Sequence, residues 1–118
     1  MIVRIGKVTG LYPNEGKIQV YYEDTNTTAE KLPLVTFGKE YKMPEMNETV
    51  LCLHSDIDGS TGFVLGTFYN ADVLPPQNGA KYKKEIIQDK ARIEFYDNKL
   101  QIYAPEVKII TDHGTTTL

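Results

Sequence analysis

Apolar and polar residues alternate with a period of two along most of this chain, which is the spacing of strands and not of helices. Residues 2–11, 17–23, 32–35, 49–55 and 62–69 read as five strands separated by turn-forming Pro, Gly, Asn and Asp. In 17–23, Ile18, Val20 and Tyr22 alternate with Lys17, Gln19 and Tyr21, predicting a half-buried strand. Gly6 and Gly10 allow a bend or bulge in the first strand. Residues 49–55 are apolar at nearly every position (Val50, Leu51, Cys52, Leu53), so cover is expected on both faces. Residues 24–30 read as a polar loop, 37–47 as an extended loop over a barrel, and 55–60 as a hairpin turn.

Residues 86–110 carry a different pattern. Apolar-polar-apolar triplets begin at Ile86, Ile93, Leu100 and Val107, a repeat of seven, with second inward positions at Gln88, Phe95, Ile102 and Ile109. A coiled coil needs apolar residues three and four apart, whereas these stand two apart. Pro105 and the many β-branched residues also exclude a helix. Short strands turning at Asp97-Asn98 and Ala104-Pro105 fit, and such a ribbon buries only one thin apolar face. It therefore needs partners, most simply copies of itself about a symmetry axis. The inward set is Ile86, Ile93, Phe95, Leu100, Ile102, Val107 and Ile109, with Gln88 the polar exception.

Residues 1–74 thus form one domain, the Pro- and Gly-bearing 75–84 a linker, and 85–118 the repeat. A net charge of −3 opposes a phosphate-backbone partner, and the one basic cluster, Lys81, Lys83 and Lys84 beside Tyr82, reads as a solvated linker. A single cysteine, Cys52, excludes an intrachain disulfide framework and is expected buried as a small apolar residue. The N-terminus runs straight into a strand, which predicts no signal peptide and no membrane span.

Catalytic chemistry is sparse. Asp56-Ile57-Asp58-Gly59 begins like a calcium loop, but its sixth position is Thr61 and its twelfth Thr67, so a hairpin turn is the better reading. Cys52 and His54 stand two apart on an apolar strand without a third, orienting group, which is packing and not a nucleophile-base pair. Glu45 and Glu48 sit in a polar loop. No P-loop, HExxH or GxSxG string occurs, so no catalytic residue is expected. His113, in the turn after the last repeat, is the candidate metal ligand, since three copies could meet near a threefold axis.

Several segments resemble a known family. They are Gly6-Lys7-Val8, the strand from Gly16 through Tyr22, Leu32-Pro33-Leu34, Pro44, the run from Glu48 through Leu53, and above all Gly62-Phe63-Val64-Leu65-Gly66-Thr67-Phe68-Tyr69-Asn70. Together they resemble the OB-fold domain of phage baseplate assembly protein V, shared by spike proteins of type VI secretion and R-type bacteriocin tails, over about residues 2–76. The resemblance implies an all-β protein: a five-stranded OB-fold barrel followed by a short intertwined trimeric β-helix or β-prism spike. It also implies a structural role without catalysis. The homotrimer would cap a contractile tail tube, contact tube and baseplate hub proteins, carry a tip-capping protein, and pierce the target cell envelope. Such a particle is assembled in the cytoplasm of the producing bacterium. Some members hold an iron ion by a His-x-His pair near the tip, whereas this chain offers His113 alone, so no cofactor is expected beyond a metal there. The competing reading is a free-standing OB-fold module for single-stranded nucleic acid or oligosaccharide, with Tyr12, Tyr21, Tyr22, Tyr41 and Tyr69 as stacking rings.

Overall fold

The computed structural model describes residues 1–55 and 61–118, so the Asp56 to Gly59 string lies outside the described residues. The protein is all-β and divides into two compact units, Met1–Val73 and Leu74–Leu118. No described helix is long and apolar enough to cross a membrane.

The first unit is one antiparallel sheet of β1 (Ile2–Tyr12), β2 (Lys17–Tyr22), β3 (Thr27–Pro33), β4 (Thr49–His54) and β5 (Gly62–Thr67), in the order β3-β2-β1-β4-β5. A 3₁₀ turn, Pro13–Glu15, ending in left-handed Gly16 reverses the chain between β1 and β2. The ladder slips between Val8 and Gly10, which leaves Thr9 as the extra residue, next to one of the two glycines. Alternation is clean on β2 and β4: Ile18, Val20 and Tyr22, and Val50, Cys52 and His54, all point inward and are buried. With Val8, Leu32 and Val64, all of these but His54 make the hydrophobic core, against which Leu11, Ala29, Leu34 and Met43 pack.

The sheet does not close as a continuous ladder. After β3, Leu34 forms a single parallel bridge to Val64, and the Val35 N–H donates to the Val64 carbonyl at 2.9 Å. Three sequence expectations need correction. Residues 27–30, expected within a loop, belong to β3, because a tight turn with Asn26 at φ 52° leads straight back onto β2. Residues 49–54 are covered on one face only, since Leu51 and Leu53 on the other face are only half-buried. The stretch expected as linker is not irregular throughout, because a strand already begins at Tyr82.

The second unit contains β6 (Tyr82–Ile87), β7 (Ala91–Tyr96) and β8 (Lys99–Tyr103) in an antiparallel meander, and a hairpin of β9 (Lys108–Thr111) and β10 (Gly114–Thr117). Its only buried residue is Glu94.

Candidate self-association surface

The turn between β7 and β8 sets the geometry of the second unit. Asp97 and Asn98 both have positive φ, 53° and 60°, the two-residue type I′ turn whose twist matches antiparallel strands. Residues flanking the turn then pair in order: Tyr96 with Lys99, Phe95 with Leu100, Ile93 with Ile102. Directly opposed residues share a face, so Ile93, Phe95, Leu100 and Ile102 form one apolar block across two strands. On β6 the ladder slips between Glu85 and Ile87, which leaves Ile86 as the extra residue and sets Ile87 opposite Ala91 on the same face as the block. Gln88 lies past β6, exposed in the turn.

The second unit covers this block only in part. Leu100 is 66 % exposed, Ile102 58 % and Ile87 50 %, while Ile93 and Phe95 are half-buried. Full burial of such a side chain contributes about 1.5–3 kcal/mol, so a partner on this face gains several such increments. Val107 precedes β9 and accepts the Leu118 N–H through its carbonyl at 2.9 Å. Ile109 pairs with Thr116 and Ile110 with Thr115, and every residue of this hairpin is exposed. An isolated two-stranded hairpin is marginal in water, so this one too calls for further cover.

The opposite face of the meander is polar and finished. The Glu94 carboxylate accepts the Asn78 side-chain N–H at 2.6 Å and the Arg92 Nε–H at 3.3 Å. The Arg92 guanidinium in turn lies 4.4 Å from the Tyr103 ring centre. The Asn78 hydrogen bond, ahead of the Arg92 contact, holds the Glu94 carboxyl below the usual carboxylate range. Asn78 was hidden in the sequence because an Asn beside Gly79 reads as a turn and announces no distant partner.

His113 sits exposed in the turn between β9 and β10, its backbone N–H donating to Thr111 Oγ1 at 3.2 Å. Among the described residues of one chain, no three His, Cys, Asp or Glu side chains gather as a metal site.

In the first unit, Cys52 and His54 are both wholly buried. The Tyr22 hydroxyl is hydrogen-bonded to His54 Nε2, and the Arg4 guanidinium lies 3.8 Å from the Tyr22 ring centre while pairing with Asp24 at 2.9 Å. Gly62 makes room for the imidazole, since a Cβ there would stand 2.7 Å from His54 Nδ1 and 2.5 Å from the Leu53 carbonyl oxygen. Burial pushes the Cys52 thiol up and the Tyr22 phenol up, so the sulfur stays protonated, the reverse of what a thiolate nucleophile needs. Glu48 accepts the Glu45 backbone N–H at 2.6 Å and so ties down the loop that carries both.

The five tyrosines do not share a stacking surface. Tyr21 and Tyr22 stand on opposite faces of β2, Tyr22 is buried, and the Tyr21 hydroxyl donates to Asn26 at 2.8 Å. Tyr12 lies under Lys31 Nζ, which stands 4.6 Å from its ring centre. A cavity of about 210 Å³ opens between Leu34 and Leu65, walled by Phe37, Tyr41 and Met43 and reaching Val50 of the core. The chain's sequence matches no family model and no curated protein.

Proposed function

We propose that this chain is the structural central spike of a contractile tail or injection-system baseplate, a homotrimer that caps the tail tube and punctures the target envelope. The observation that carries the reading is the partly covered apolar block of Ile93, Phe95, Leu100 and Ile102 on a sheet whose other face is already completed by Glu94, Asn78 and Arg92. A one-sided sheet of this kind is half of an interface. Three chains wound together would cover each other's apolar faces and pair the free edges of β8 and β10, leaving a stiff rod without an open ladder.

The first unit supports the same reading. Its strand order, with β1 between β2 and β4 and β5 brought beside β3 by the Leu34–Val64 bridge, suits a partly open five-stranded OB barrel. Together with the family resemblance of the segments in β1, β2, β4 and β5, this makes an OB-fold domain carrying a trimeric spike the favoured architecture.

Light scattering of the purified chain tests the proposal. The expected mass is three times 13.4 kDa. A stable monomer at micromolar concentration would overturn it.

A further inference from the structure

The first unit has an uncovered apolar surface of its own. On β1, β4 and β5 the residues facing away from the core are Val3 and Ile5, Leu51 and Leu53, and Phe63. They lie in register: Val3 opposes Leu53, Leu53 opposes Phe63, and Ile5 opposes Leu51. Leu65, at the bulge of the β4–β5 ladder, borders them. Val3 is 61 % exposed, Ile5 56 % and Phe63 52 %. An antiparallel sheet with one solvated face carries polar residues there, as β2 does with Lys17, Gln19 and Tyr21. Across β1, β4 and β5 that rule is reversed, and the bordering outward residues are Lys7, Thr49, Thr61 and Thr67.

We propose that this stripe is where the first units of neighbouring copies touch one another, an inference that rests on the trimer reading above. Size selects the occupant. Val3, Ile5, Leu51, Leu53, Phe63 and Leu65 are six side chains, against about 20–30 residues a side in a stable complex. The stripe is too small to hold a free protein, but it suffices between copies already tethered through their second units, where effective concentrations reach the millimolar range. Charge points the same way. Each copy carries −3, and a contact without ionised side chains brings acidic copies together without opposing like charges.

Hydroxyl-radical footprinting of the 118-residue chain tests this, with the Ile102→Asp variant as monomeric reference. The expected result is labelling of Val3 and Phe63 several-fold lower in the wild-type trimer than in the variant. A trimer whose Val3 and Phe63 label as heavily as in the monomer, or are protected equally in both, overturns this proposal and leaves the trimer standing. A wild-type monomer overturns both. As a second measurement, Phe63→Glu is expected to raise the concentration at which trimers dissociate by about tenfold or more, because each copy would bury an unpaired charge. Since Phe63 faces outward, the circular dichroism of that variant is expected to stay that of a folded β protein, and unchanged dissociation in a folded variant also overturns the contact.

Discussion

The two units use the same element, an antiparallel strand with inward and outward positions, and reach opposite results. In the first, five strands curve enough for Val8, Ile18, Val20, Tyr22, Leu32, Val50, Cys52 and Val64 to bury one another. In the second, three strands and a separate hairpin offer apolar residues of equal size, and only Glu94 becomes buried. Composition does not separate them; the number of strands that can wrap around a common interior does. A sheet of three short strands has nothing to fold against, so its apolar face stays a surface. One unit buries an apolar core of its own within the chain, and the other leaves most of its apolar face exposed.

That contrast can be broken most sharply in the second unit. Ile102→Asp is expected to reduce the mass in light scattering from three chains to one, because an axis would bury three carboxylates facing each other, while the circular dichroism of the first unit persists. The complementary cut is Ile18→Ala, a cavity in the closed core. It should lower the stability of the first unit by about 2–5 kcal/mol in denaturant unfolding and leave the trimer mass intact. Should Ile18→Ala dissociate the trimer, the two units would not be independent.

Tyr22→Phe sharpens the picture of the first core. It leaves His54 Nε2 buried without its partner, an expected cost of about 1–3 kcal/mol by urea denaturation. The smallest effect concerns Glu94. Its carboxyl is held below the ordinary range, so the fold favours the ionised form. The stability this lends is present above the ordinary carboxylate value and drains away as pH falls through the lowered one. Melting of the second unit should therefore soften with acid in the wild type and respond less to pH in Glu94→Gln.

Much of the first unit was legible because its strands alternate strictly. Ile18, Val20 and Tyr22 announce the core by period alone, whereas Val50 and Cys52 do not, because Leu51 and Leu53 beside them are apolar too. The start of β3 was not legible: Thr27, Thr28 and Glu30 are polar, Ala29 is small, and only pairing with β2 makes them a strand. The second face of β4 misled for a related reason. Leu51 and Leu53 promise cover, but the chain leaves both only half-buried. In the second unit the pairing of Ile93 with Ile102 and Phe95 with Leu100 agrees with the triplet pattern, and the Asp97-Asn98 turn was named correctly. The bulge that exchanges Ile86 for Ile87 was invisible, because a slipped ladder keeps the same residues and changes only their partners.

The Asp97-Asn98 turn also makes the chain a ruler. With two residues in the turn, positions seven apart on β7 and β8, such as Ile93 and Leu100, fall on the same face of the sheet. Length can therefore change only in quanta. Inserting one more seven-residue unit of this design would widen the sheet by one strand, about 4.8 Å, with every side chain still facing the right way. Inserting one residue into the strand would turn over all those beyond it, exchanging Leu100 and Ile102 for Gln101 and Tyr103.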